Sequence, residues 1–157
     1  VIERLRGWPV AVLSVAVGLV FLYASFDKIA HPAEFARIIY HYRLLGPSRL
    51  VGPLPANLLA VVLPWIEAVT GACLVANAWR REAALTAAGL LVVFVAAVGL
   101  ALAQGIDIEN CGCFTVTGAG RAAGARLIAG DLCLLAASLV VAWGTPGRSL
   151  TSTAKPA

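Results

Sequence analysis

Four long apolar runs dominate the chain. The first runs from Trp8 to Phe26 and stops at Asp27-Lys28, the second from about Ala56 to Trp79, the third from Ala83 to Ala103, and the fourth from about Ala122 to Trp143. Each has the roughly 20 residues that an α-helix needs to cross a hydrocarbon core about 30 Å thick. Backbone groups in lipid must be satisfied within the segment, so the pattern predicts helices. The connection between the second and third runs is only Arg80, Arg81 and Glu82. So short a link predicts antiparallel neighbours and an all-α, integral membrane four-helix up-down bundle. The spans are placed at residues 8–27, 56–79, 83–103 and 122–143 of one membrane domain. Gly71, Ala72, Gly89 and Gly99 are the small residues expected to let helix backbones approach.

The two connections on the other side are longer. In the first, about Ile29 to Pro55, Pro32 suits an opening helical turn and Gly46-Pro47 a stop. Phe35, Ile38, Ile39, Tyr42 and Leu45 share one face at helical spacing, with Glu34, Arg37 and His41 opposite. An extra amphipathic helix is expected there, lying on the membrane surface or capping the bundle. The second, Gln104 to Gly120, reads QGIDIENCGCFTVTGAG and is polar. Residues 144–157 read as a flexible tail. The first run exceeds the apolar core of a cleavable signal peptide, and Asp27-Lys28 stands where a small-residue cleavage site would be, so it is expected to remain as a span.

Composition sharpens the class. Hydrophobic residues are 61% and charged residues 13% of the 157, against roughly 45–50% and 25% in soluble domains; mean hydropathy is +0.89. This excludes a disordered chain and argues against an ordinary soluble domain. The net charge of +4 comes from 12 scattered basic residues. With no basic stripe, nucleic acid is not an expected partner.

Trp8, Trp79 and Trp143 mark run ends and would form an interfacial belt on one face, with Tyr23, Tyr40 and Tyr42 towards the other. Lysines and arginines divide evenly. Arg4, Arg6, Arg80, Arg81, Arg148 and Lys155 fall on the Trp side; Lys28, Arg37, Arg43, Arg49, Arg121 and Arg126 fall on the other. The Arg80-Arg81 loop cannot carry its charges away from the membrane, which favours both termini inside.

The candidate chemistry lies at the few polar positions. Cys111-Gly112-Cys113 can close a small ring if the chain bends at Gly112. Strained, exposed disulfides tend to be the labile ones, so the pair reads as a dithiol/disulfide switch at the membrane surface. A static disulfide, two unremarkable thiols, or a soft-metal site for copper(I) or mercury(II) remain alternatives. Cys73 and Cys133 read as small apolar residues. Their depths differ by roughly 6 Å, which makes a second pair a weaker reading.

Glu67 and Asp131 each lie 12 residues before the Trp that ends their run, about 18 Å above the Trp belt. An ionisable group at such depth costs about 2.5–3.5 kcal/mol on insertion scales and faces the bundle interior. Two carboxylates at one depth resist being ionised together. They could relay protons, contact a quinone, or fix the bundle through hydrogen bonds, with Arg126 or Lys28 as partner. Lys28 is expected to snorkel outward or to turn in to a carboxylate. His31 and His41 stand about 80° apart on an ideal helix and do not converge as ligands. No phosphate loop, nucleophile elbow, dinucleotide fingerprint or haem-attachment motif is present.

The segments ASFDKIAHPAEFARIIYHYRLLGP (Ala24 to Pro47), LPWIEAVTGACL (Leu63 to Leu74), GIDIENCGCF (Gly105 to Phe114) and RLIAGDLCLL (Arg126 to Leu135) occur in this order. The set resembles the methylamine utilisation protein MauE family, within the broader DoxX-like group of redox-associated membrane proteins, over about residues 8–143. Carried over by position, the resemblance points to Lys28, Pro32, Tyr42, Glu67, Cys111, Cys113 and Asp131. The Gly that follows CGCF in the family is Thr115 here. MauE is linked to making methylamine dehydrogenase, whose disulfide-rich small subunit matures in the periplasm.

The resemblance implies thiol–disulfide traffic on the periplasmic face of a bacterial inner membrane. Cys111 and Cys113 would exchange with a thioredoxin-like or disulfide-containing partner. Lys28, Glu67 and Asp131 would handle protons or a quinone acceptor. Two other classes stand beside this thiol–disulfide oxidoreductase: a non-catalytic subunit or assembly factor of a larger membrane complex, and a soft-metal carrier.

Overall fold

The computed structural model describes residues 2–41, 53–103 and 124–145. Five helices make up these residues: α1 (Ile2–Ala30), α2 (Pro32–His41), α3 (Pro53–Val75), α4 (Arg80–Ala103) and α5 (Gly124–Gly144). Three are long and apolar enough to cross a membrane, over Gly7–Ala30, Asn57–Val75 and Arg80–Leu100. The described apolar stretch of α5 is shorter, Ile128–Gly144.

Burial is inverted relative to a soluble protein. Leu58, Val61, Trp65 and Val69 of α3 are exposed, as are Leu19, Tyr23 and Phe26 of α1 and Val92 and Val93 of α4, while Lys28, Glu67 and Asp131 are buried. Water would reverse both choices. Lipid makes both reasonable, since apolar surface then faces apolar solvent and ionisable groups retreat to the interior.

Helix α1 lies along α3. Ser14 Oγ donates to the Leu74 carbonyl at 2.9 Å, a Cβ built on Gly18 would stand 2.7 Å from the Gly71 carbonyl oxygen, and Lys28 meets Glu67. The rising number on one helix against the falling number on the other makes the pair antiparallel. The contact of Gly71 was expected, whereas Gly18 was not singled out. Gly89 and Gly99 have nothing within 4 Å of a built Cβ, which corrects their assignment to close helix approach. On α4 that role goes to alanines: Ala83, Ala84, Ala87, Ala88 and Leu91 form its buried face, in one cluster with Val17, Phe21, Leu74, Val141 and Ala142 except for Ala88.

The second run ends earlier than its apolar pattern. Helix α3 stops at Val75, not at Trp79. Asn77 adopts a left-handed φ of 53°. Ala78 N–H reaches back to the Cys73 carbonyl and Asn77 N–H to that of Leu74, the bond pattern of a Schellman stop, in which Asn is an accepted substitute for Gly. Trp79, also left-handed at 44°, then accepts from Ala83 N–H and opens α4 at Arg80. Helix α1 likewise extends back to Ile2, and α5 begins at Gly124.

At α2, Pro32 takes the first turn, where a missing N–H costs nothing. Phe35 is buried against Ala60, with Ala36, Ile38, Ile39 and Leu63 around it. Glu34 and Arg37 pair at 3.2 Å on the exposed side. Leu45 and the rest of the expected apolar stripe from Tyr42 onward lie outside the described residues.

Trp8, Trp79 and Trp143 are all exposed and gather at one end of the molecule. Gly144 abuts Val10, and Thr145 lines a cavity with the turn around Trp79.

Candidate functional site

The interior of the opposite end holds the charged residues. Lys28 occupies the last turn of α1, three residues from the break at His31. Its ammonium donates to both oxygens of Glu67, at 2.7 Å to Oε1 and 2.8 Å to Oε2. Lys28 is 0% and Glu67 2% exposed. Lys28 therefore turns inward and does not snorkel. The ammonium also stands 4.9 Å from the Phe94 ring centroid and 5.3 Å from that of Phe35. Both lie within the roughly 6 Å reach of a cation–π contact, each worth about 0.5–2 kcal/mol depending on desolvation. Four helices thus meet at one nitrogen: α1 supplies the charge, α3 the carboxylate, and α2 and α4 the aromatic faces.

Asp131 enters from α5. It is 1% exposed, and neither carboxyl oxygen has a hydrogen-bond partner among the described residues. Asp131 and Glu67 line a cavity of about 20 Å³ with Val20, Phe21, Ala24, Leu91, Phe94 and Leu134. Apart from the two carboxyls, the side chains that line this cavity are apolar. Asp27, next to Lys28, stands 3.6 Å from His31 Nδ1.

Of the expected site residues, Lys28, Glu67 and Asp131 converge. Cys111 and Cys113 lie outside the described residues, as do Tyr42, Thr115 and the side chain of Arg126. The two ends of their segment are fixed, because α4 stops at Ala103 and α5 starts at Gly124. Cys73 is half-buried and Cys133 exposed; both are free thiols, which corrects the weaker reading that they bond to each other. Among the described residues no group of three or more His, Cys, Asp or Glu could hold a metal.

Three contributors went unnoticed in the sequence. Phe94 was hidden in a run that reads as plain aliphatic. Ser14 and Gly18 form a small-xxx-small pair, a pattern that could have flagged the α1 face.

A sequence model of the family described as methylamine utilisation protein MauE matches residues 6–144. The chain belongs to the MauE family. It is 32% identical over 134 residues to the methylamine utilization protein MauE of Paracoccus denitrificans, covering 85% of this chain and 68% of that protein. Identity to MauE of Methylophilus methylotrophus is 33% over 100 residues, covering 64% and 50%. For MauE of Methylorubrum extorquens it is 32% over 115 residues, covering 72% and 59%. The chain thus spans half to about two thirds of the length of these MauE relatives. No solved structure matches it. The MauE match takes in α1 from Arg6 onward, the other four helices and every expected site residue.

Proposed function

We propose that this MauE-family chain is a four-span, up-down protein of the bacterial cytoplasmic membrane, with both termini inside. It serves thiol–disulfide traffic at the periplasmic face, in support of methylamine utilisation. In this reading α5 is the fourth span and α2 an amphipathic cap in the first periplasmic connection. The carrying observation is that the segment bearing Cys111 and Cys113 is tethered at both ends on the side of the molecule that holds Lys28, Glu67 and Asp131, opposite the Trp end. Asp131 sits seven residues into α5 and Phe94 nine residues before the end of α4. At about 1.5 Å per residue the cluster lies roughly 10–14 Å beneath that connection.

The chemistry is exchange. A thiolate of the pair attacks one sulfur of a disulfide in a periplasmic thioredoxin-like partner, and the partner's second sulfur leaves as a thiolate. The other cysteine of the pair then attacks the mixed disulfide. The pair ends oxidised and the partner reduced, with two electrons and two protons transferred to it; the reverse sequence runs the other way. Lys28, Glu67 and Asp131 are the proton-handling groups of the span region. A cavity of about 20 Å³ is far below the several hundred that ring-sized ligands occupy, so a quinone would dock elsewhere on the lipid-facing surface.

Trapping tests the proposal, in a background with Cys73 and Cys133 replaced by Ala. Cys113→Ser should capture a disulfide-linked partner through Cys111, or Cys111→Ser through Cys113. Absence of any captured species in both, together with unimpaired growth on methylamine of the Cys111→Ser/Cys113→Ser strain, overturns it.

A further inference from the structure

We infer that the Lys28–Glu67–Asp131 cluster is a proton-binding site, in which one exchangeable proton is shared by the two carboxyls across a single bound water, with Lys28 as their common counter-cation. The inference rests on the buried cluster and stands apart from the cysteines.

Charge balance comes first. The groups facing the cluster are Lys28 of α1, Glu67 of α3 and Asp131 of α5, while α4 contributes Leu91 and Phe94 and α2 contributes Phe35. Asp27 of α1 is at its edge, beside His31. One ammonium thus meets two carboxyls. Leaving the second carboxylate ionised and unpaired in an apolar interior costs several kcal/mol. A proton removes that charge at little structural expense. Glu67 already uses both oxygens on Lys28, so Asp131, with two buried and unpartnered oxygens, is the seat of the proton.

The cavity size selects the ligand. About 20 Å³ holds roughly one water, which needs about 10–15 Å³ and two or more polar partners. The carboxyls of Glu67 and Asp131 are the polar groups lining the space, and everything else there is apolar. Calcium or magnesium would require six or more oxygen ligands, and the lining offers two carboxyls. Protonated Asp131 donates through that water towards Glu67. If Lys28 shifts its bonds from Glu67 to Asp131, the proton passes back along the same water and the total charge is unchanged. The cluster therefore has two arrangements of equal charge, which is what a proton-holding station within a membrane requires.

Infrared spectroscopy of the full chain in lipid nanodiscs reads the proton directly. At neutral pH the wild type should show one carboxylic-acid carbonyl band that shifts in D2O. Asp131→Asn should abolish it. Glu67→Gln should abolish it as well, because Lys28 then has one carboxylate to balance and Asp131 ionises. Lys28→Met should double its intensity, while Asp27→Asn and Arg126→Gln should leave it unchanged. A wild-type protein without the band overturns the inference. So does a band that survives Asp131→Asn or Glu67→Gln, or one that doubles in Arg126→Gln. If Lys28→Met does not fold, the Asp131 and Glu67 variants decide alone.

Discussion

The two ends of the α1–α3 seam solve one packing problem with opposite materials. Near the Trp end the seam is made of small groups: Ser14 bonds to the Leu74 carbonyl, and Gly18 and Gly71 let the backbones touch. At the other end a lysine and a glutamate meet between two aromatic rings, with an aspartate across a small cavity. The first arrangement costs little in lipid and is sufficient to join two helices. The second takes three ionisable groups out of water, each at about 2.5–3.5 kcal/mol on insertion scales. A seam that already closes by small-residue packing does not require so costly a second fastening. The ionic end is therefore where function is to be sought.

The contrast makes quantitative predictions. Removing one member of the ion pair, by Lys28→Met or Glu67→Leu, breaks both charge-assisted hydrogen bonds, while a proton gained or lost by the remaining carboxyls keeps the charge balanced, so the loss should be about 1.5–3 kcal/mol. The double variant Lys28→Met/Glu67→Leu should recover most of that loss, as buried pairs replaced by apolar residues commonly do. Unfolding titrations in mixed micelles measure all three. A double variant no more stable than the singles would mean that the pair itself holds the fold.

At the small-residue end, Gly18→Ala drives a methyl to 2.7 Å from the Gly71 carbonyl and 2.8 Å from a Val75 methyl. The helices must separate, at about 1–3 kcal/mol, and disulfide cross-linking yields between cysteines introduced on α1 and α3 should fall. Ser14→Ala should cost less, about 0.6 and at most about 1.7 kcal/mol, the range measured for interhelical hydrogen bonds in membranes. Gly89→Ala and Gly99→Ala face open space. They should leave stability unchanged or raise it by up to about 1 kcal/mol through helix propensity.

Much of the architecture is legible in the sequence because lipid simplifies the code. Long apolar runs become helices, and polar residues within them turn inward. Glu67 and Asp131 could be placed at one depth by counting from Trp79 and Trp143, although Trp79 proved to sit in the turn and not on α3. The shared level nevertheless holds, since both carboxyls line one cavity. Other features need partners that a single run does not reveal. Whether Lys28 snorkels or turns inward depends on Glu67, 39 residues away, and on Phe35 and Phe94. Which small residues face a neighbour depends on helix rotation, so Gly89 and Gly99 look like contact residues until the Ala83–Ala87 and Ala84–Ala88 faces are seen to be the buried ones. The stop at Val75 was visible only as a lone Asn77, a weaker signal than Gly.

The proposed thiol–disulfide role requires Cys111 and Cys113 to share the outer face with the charged end of the molecule. Labelling intact cells with a membrane-impermeant maleimide after mild reduction, in a chain whose Cys73 and Cys133 are replaced by Ala, tests this most directly. Modification of both cysteines without permeabilisation is the predicted result. Labelling that appears only once the membrane is opened would put the pair in the cytoplasm and contradict the account.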